Sequence, residues 1–180
     1  VGEDMELVVR LHRHAKETGK DHRVVFLPEP VCWTEAPETM KVLGRQRARW
    51  HRGAIETFVR HGAMMTNPKY GRVGMIGMGQ VLVFDLIGPV LELMGCTLLP
   101  AMWALGILDV DYLIAFLALS IFFGIAVSVG ALALEEAELR RVSRVSDLLR
   151  LAAAAVLENF GYRQLNSWWR FRGLWEWMRG

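Results

Sequence analysis

From Val73 to Leu134 the sequence contains no lysine, arginine or histidine, although 21 Lys and Arg and 5 His are spread over its 180 residues. Basic side chains are among the groups least welcome in hydrocarbon, so this gap constrains the fold more than any other feature. It opens with "VGMIGMGQVLVFDLIGPVLELMG" from Val73, long enough to cross a bilayer, which takes about 20 mostly apolar residues. After a break near Gly95 to Asp111 it closes with "YLIAFLALSIFFGIAVSVGALAL", Tyr112 to Leu134, which carries no charge of either sign. The expectation is a transmembrane helical hairpin over residues 73–134. Composition agrees: 53% hydrophobic residues and a mean hydropathy of +0.24 are too apolar for an ordinary soluble domain, while 22% charged residues are too many for a pure membrane bundle.

Two acids interrupt the first span. Asp85 and Glu92 are seven residues apart, which puts them on one helical face, and Pro89 between them has no N–H for the carbonyl of Asp85, so a kink is expected. An acid near the bilayer centre costs roughly 2.5–3.5 kcal/mol on insertion scales and so faces protein or water. One reading makes Asp85 and Glu92 the lining of a polar path; the other leaves Glu92 snorkelling at the interface and Asp85 paired with another helix. Arginines cluster before Val73 and between Glu135 and Arg150, whereas the loop at Leu108 to Asp111 holds only acids, so both flanks of the hairpin are expected on the cytoplasmic side. A third apolar stretch, "LAAAAVLENFGYRQL", is short and broken by Glu158; it spans, re-enters or lies buried. If it spans, Arg163, Arg170, Arg172 and Arg179 end outside, against the positive-inside tendency. The tail "RQLNSWWRFRGLWEWMRG" spaces Trp168, Phe171, Trp175 and Met178 as a helix would, with Arg163 and Arg170 on another side, which predicts a helix lying in the interface.

The polar part is organised as residues 1–53, an interfacial segment 54–72, a charged connection 135–147, and 148–180 as third apolar helix and amphipathic tail. Glu3 to Thr18 reads as a helix, with Leu7, Val8, Leu11 and Ala15 at helical spacing, acids first, Lys16 near the end and Gly19 as the cap. "RVVFLPEPVCWTEAP" predicts a strand at Arg23 to Leu27 and an extended segment at Val31 to Thr34, and Pro37 reads as the first-turn proline of the next helix. The opening "VGEDMELVVRL" has no basic n-region and no apolar h-region of a signal peptide, and Val1 is not an initiator methionine, so the chain is expected to be the C-terminal part of something longer. Cys32 and Cys96 stand apart and have no metal-ligand spacing, so neither a disulfide nor a zinc site is expected.

Five basic residues flank one tryptophan in "GRQRARWHRG", Gly44 to Gly53. On a helix Gln46, Arg49 and Trp50 share a face, with Gly53 one turn further along it, while Arg47 points about 100° away from Gln46. A guanidinium fork suits a phosphate or diphosphate, an indole face suits the apolar side of a sugar ring, and an amide bonds hydroxyls. The bland reading is an amphipathic helix whose arginines touch lipid phosphates. Stacking of nucleic-acid bases is disfavoured by the membrane spans immediately downstream. Arg45, His51 and Arg52 read as interfacial charges.

"VGED" at Val1 to Asp4, followed about forty residues later by Gln46-Arg47-Ala48-Arg49-Trp50, resembles the ED and Q-x-x-R-W motifs of membrane-embedded, processive family 2 glycosyltransferases, the cellulose, chitin, hyaluronan and poly-N-acetylglucosamine synthases. "WTEAPET" resembles the segment those enzymes place before the Q-x-x-R-W helix, and "FDLIGPVLELMG" resembles the start of their C-terminal membrane region. The fold implied is mainly α: the C-terminal remnant of a GT-A type α/β glycosyltransferase domain followed by a transmembrane helical region.

The resemblance implies an inverting transfer from a nucleotide sugar, usually a UDP-sugar, to the hydroxyl of a growing glycan, which the same protein would help translocate. Asp4 matches the general base, a role that needs an ionised carboxylate within reach of the acceptor hydroxyl, and a helix N-terminus favours that form. Glu3 would support it. Trp50 would lie under the acceptor sugar; Arg49 and Gln46 would face the diphosphate and the acceptor; Arg47 ranks below them. A divalent metal, Mg or Mn, is implied for the full-length enzyme with ligands outside this chain, because the donor-binding D-x-D motif is absent and Asp109-Val110-Asp111 falls in the outside loop. Without that half the fragment is expected to be inactive alone. Implied partners are the nucleotide-sugar donor, a glycan or lipid-linked acceptor, membrane lipids and accessory export subunits, with no nucleic acid; the implied location is the bacterial inner membrane, catalytic part cytoplasmic. Two alternatives stay open: a non-processive transferase adding one sugar to a lipid, and a non-enzymatic membrane component on a degenerate scaffold.

Overall fold

A computed structural model describes the chain except for Val1, Lys20, Asp21, Arg23, Phe26, Pro28, Pro30, Val31, Trp33 and residues 140–143. The predicted strand at Arg23 to Leu27 and the extended segment at Val31 to Thr34 fall partly outside the described residues, and no strand occurs among those described. Six helices dominate: α1 (Glu3–Thr18), α2 (Met40–His61), α3 (Val73–Ala104), α4 (Val110–Leu139), α5 (Val145–Leu157) and α6 (Tyr162–Met178). Two compact units result, one of Val1–Leu91 with Asn166–Gly180, the other of Glu92–Leu165.

In the first unit α1 has the predicted bounds, because its signals are local: three acids in the first turn, Lys16 in the last, and Gly19 left-handed at φ 67°. The next helix starts at Met40, not at Pro37, because the Thr39 side chain caps it, accepting from the Val42 N–H at 3.3 Å. α2 runs unbroken across Gly53 to His61 and buries Gly44, Ala48, His51 and Ile55, a stripe at helical spacing. Short 3₁₀ turns at Gly62–Thr66 and Pro68–Tyr70 lead into α3, with Met64 and Met78 almost fully enclosed.

The tail forms the expected helix and adds a packed face to it. Trp168 and Trp175 are exposed, but Trp169, Ser167 and Gly173 are buried, and α6 lies against α2. Small residues permit the approach: a Cβ on Gly44 would come within 2.7 Å of the Trp169 indole nitrogen, and one on Gly173 would overlap the Ala48 carbonyl. His51, expected as an interfacial charge, is likewise only 3% exposed.

α3 is α-helical except for two wider π-helical runs, Val73–Gly77 and Val81–Ile87, ahead of Pro89. The Asp85 carbonyl, which has no N–H to receive from Pro89, accepts from Arg170 Nη2 at 3.1 Å.

In the second unit α5 packs on α4. Ser128 donates to Glu158 (2.6 Å), Arg163 pairs with Glu92 (2.9 Å), and Gly124 leaves room for the Asn159 amide, which itself donates to the Ala155 carbonyl (2.9 Å). Asp109, expected as a solvated tip, is exposed and also starts α4 by accepting from the Asp111 N–H at 2.9 Å.

Among the described residues α3 and α4 are the two helices long and apolar enough to cross a membrane, and only 6% of each apolar window is buried. A core helix of a soluble protein would be mostly covered. α5, with 13 residues, reaches about 20 Å against the ~30 Å of a hydrocarbon core.

Candidate active site

Gly2 sets the geometry. It caps α1 in the left-handed conformation, φ 70°, and sits so close to α2 that a Cβ there would come within 2.8 Å of the Gly53 Cα. Farther along, three polar contacts tie α1 down. Arg13 donates to His61 Nδ1 (3.4 Å), which fixes the imidazole proton on Nε2, and Nε2 donates to Glu6 (3.2 Å). The Tyr70 hydroxyl donates to Glu17 (3.0 Å), which Arg13 also bonds at 2.8 Å. The Glu6 carboxyl is held below its ordinary value first by the His61 hydrogen bond, with Arg10 and Arg60 adding attraction.

This docking delivers the first turn of α1 to the middle of α2. Glu3 and Asp4 share a cavity of about 410 Å³ with Gly2, Met5, Arg49 and Trp50. The cavity therefore joins two carboxylates, a guanidinium and a half-exposed indole from segments far apart in sequence, with Asp4 in the positive end of its helix. Gln46 does not line it and is half-buried nearby on α2.

A second cavity, about 270 Å³, shares Trp50 as a wall and adds Arg47, His51, Asp85, Asn166 and Arg170. The Arg47 guanidinium lies 5.0 Å from the Trp50 ring centroid, a cation–π distance. Arg47 and Trp50 are three residues apart, a neighbour spacing on a helix, so its place beside Trp50 was available from the sequence. Arg170 donates to Asp85 Oδ1 at 2.6 Å as well as to its carbonyl. Burial is the main force lowering the His51 ring to about 4, with the Arg170 charge second, so His51 is neutral at pH 7. The sequence reading places His51 among interfacial charges and Arg170 on the tail and does not single out Asn166; tail packing brings the three together, and its prior signal is the four-residue spacing of Gly44 and Ala48, matched by Trp169 and Gly173.

The two acids of the first apolar stretch have separate partners, Asp85 with Arg170 and Glu92 with Arg163, and Glu92 lies outside both cavities. Among the described residues no group of three or more His, Cys, Asp or Glu comes together to hold a metal ion.

The family model described as "Glycosyl transferase family group 2" matches residues 1–135. The curated "Probable glycosyltransferase YdaM" of Bacillus subtilis (strain 168) is similar, 38% identical over 53 residues, which are 29% of this chain and 11% of that protein. The aligned part thus spans about a tenth of that relative's length. No solved structure matches.

Proposed function

The chain belongs to the glycosyl transferase family group 2, and from that premise we propose that it forms the acceptor-side part of an inverting membrane glycosyltransferase that moves a sugar from a nucleotide sugar, a UDP-sugar, to a growing polysaccharide. The observation that carries the proposal is the cavity in which Glu3 and Asp4 meet Arg49 and Trp50. Asp4 takes the proton of the acceptor hydroxyl as its oxygen attacks the anomeric carbon. The bond from that carbon to the diphosphate breaks on the opposite face, and the nucleoside diphosphate leaves with the electron pair. Glu3 supports the Asp4 carboxylate, Arg49 stabilises charge gathering on the leaving diphosphate, and Trp50 offers its face to a sugar ring. Gln46 completes the polar face of α2. A divalent metal, Mg or Mn, enters the same proposal through residues outside these 180.

α3 and α4 are read as membrane spans with the cavities on the cytoplasmic side of a bacterial inner membrane, their bare apolar surfaces facing lipid. Asp85 and Glu92, each paired with an arginine, support polar surroundings beside α3, as passage of a glycan chain through the protein and its export subunits requires. The second reading, one sugar added to a lipid, uses the same Asp4 and no such passage.

Full-length protein in membranes, supplied separately with labelled UDP-glucose and UDP-N-acetylglucosamine, tests both. A ladder or long polymer supports the processive reading; a single lipid-linked sugar sinks it. Asp4→Asn abolishes transfer with folding and insertion intact, and a fully active Asp4→Asn protein overturns the assignment of the base.

A further inference from the structure

The third apolar stretch, which the sequence leaves open between spanning, re-entering and lying buried, ends in a turn of inverted polarity. Between α5 and α6 the chain exposes Leu157 and Phe160 and hides Asn159, which is 5% exposed. A turn that faces water shows the opposite pattern, with polar side chains outward. The backbone is closed as well. The N–H groups of Glu158, Asn159 and Phe160 bond to carbonyls three or four residues back, and the Arg163 N–H bonds to the Glu158 carbonyl at 2.9 Å. Gly161 turns the chain at φ 93°, and its N–H donates to Gln164 Oε1 at 3.0 Å, the reach-back bond of a capping box. Irregular backbone whose donors are bonded within the protein is the kind that hydrocarbon tolerates.

The partners of the turn fix its depth. α5 packs on α4, Ser128 donates to Glu158, and Gly124 makes room for Asn159. Gly124 lies 12 residues after Tyr112 and 10 before Leu134. It is therefore about 15–18 Å from either end of that charge-free stretch, at the middle of a ~30 Å core. α5, with 13 residues, covers a similar distance from the connection after α4 and stops there. Two ion pairs then set the direction of α6. Arg163, just past the turn, holds Glu92, whereas Arg170 holds Asp85. The later arginine takes the earlier acid at the same seven-residue spacing, so α6 runs antiparallel to α3, back toward the end where α3 begins. Composition opposes the other direction, because Arg163, Gln164, Asn166 and Arg170 fall within the roughly ten residues that the remaining half of the core would take.

We propose that α5 and α6 form a re-entrant helical hairpin that enters the bilayer from the side of α2, turns near the midplane at residues 159–161, and returns to the side it came from. The proposal rests on the reading of α3 and α4 as membrane spans with α2 on the cytoplasmic side. It removes the conflict with the positive-inside tendency, since Arg172 and Arg179 end on the same side as the arginines before Val73. It also gives Gly124 a role, as the notch in α4 that receives the tip of the hairpin.

Single cysteines in full-length protein freed of its other cysteines test the hairpin without turnover. Asp109→Cys, Val145→Cys, Phe160→Cys and Met178→Cys all fall on exposed positions. With a membrane-impermeant maleimide, Val145→Cys and Met178→Cys are expected to label only in inverted vesicles, and Asp109→Cys only in right-side-out ones. Phe160→Cys is expected to label about 100-fold more slowly than Val145→Cys in inverted vesicles, because hydrocarbon excludes the reacting thiolate, and equally fast once the protein is unfolded in SDS. A spin label on Phe160→Cys is expected to collide more often with oxygen than with a water-soluble nickel chelate. The reverse order places the turn in water, shielding from both places it inside protein, and either result overturns the hairpin. So does label on Met178→Cys from outside, which means a third span, or label on Phe160→Cys at the rate of Val145→Cys, which means a helix on the surface. Label on Asp109→Cys in inverted vesicles alone refutes the two spans, and the hairpin falls with them. Protein that labels as expected but transfers no sugar refutes the transferase reading and leaves the hairpin standing.

Discussion

Replacing Gly2 by alanine tests the positioning of Asp4 without touching a charged group. Two costs arise together. An L residue in the left-handed conformation that Gly2 adopts at φ 70° loses about 1–2 kcal/mol. The added Cβ would also stand 2.8 Å from the Gly53 Cα, and backbone cannot swing aside as a flexible side chain can, so overpacking of about 1–3 kcal/mol applies. The sum, about 2–5 kcal/mol, lowers the docking equilibrium of α1 on α2 by about 30-fold to about 5,000-fold. Gly2→Asn separates the terms, because asparagine tolerates the left-handed region but still brings a Cβ, and it is expected to fall between glycine and alanine. The assay is limited trypsin cleavage at Arg10 and Arg13 in full-length membrane protein, alongside sugar incorporation from the UDP-sugar. Arg10 is exposed already, so what protects both sites is the folded helix; undocking lets α1 fray into the protease and removes Asp4 from Arg49 and Trp50, so cleavage rises as incorporation falls. If Gly2→Ala matches the wild type in both, α1 does not depend on this close approach and the geometric argument for Asp4 is wrong.

Gly44→Ala places a Cβ 2.7 Å from the Trp169 nitrogen, and with Trp169 9% exposed the ring has little room to yield. The overpacking of about 1–3 kcal/mol exceeds the ~0.5–1 kcal/mol gained by alanine in a helix, so melting in detergent falls by a few degrees, and an unchanged melting temperature refutes the tail packing. The Glu6 carboxyl, held below its ordinary 4.5 by His61, contributes stability that is present above pH 4.5 and is lost as pH falls through the lower folded value. Melting curves from pH 6 to pH 3 should therefore converge for wild type and Glu6→Gln at the acid end, and curves that stay equally far apart at every pH contradict the role of the pair.

What could be read from the sequence was what local rules decide. The bounds of α1 follow from its acids and Gly19, and the apolar pair of helices from the absence of cations. The meeting of Asp4 with Arg49 and Trp50 in one cavity was expected through a family resemblance, since no spacing rule connects α1 to α2. Tertiary packing was not legible. The tail looked amphipathic because its exposed tryptophans are as prominent in the sequence as buried Trp169, and only the fit against Gly44 and Ala48 separates them. The same packing bears on the excess of tail arginines that conflicted with the positive-inside tendency. Arg163 and Arg170 are engaged by Glu92 and Asp85, so they act locally as counter-ions and not as free orienting charges.

That pairing has a consequence for the order in which the protein is made. Arg170 follows Asp85 by 85 residues and Arg163 follows Glu92 by 71. If α3 is a membrane span, it leaves the ribosome before Arg170 exists, and the bare Asp85 carboxylate opposes insertion by roughly 2.5–3.5 kcal/mol at the bilayer centre. Its partner is synthesised only after the second apolar helix has followed. On that reading the inserted intermediate is provisional, and the arrival of the last helix supplies the counter-ion of Asp85. A nascent chain that stalls before Arg170 leaves the Asp85 carboxylate without the counter-ion it has in the finished protein.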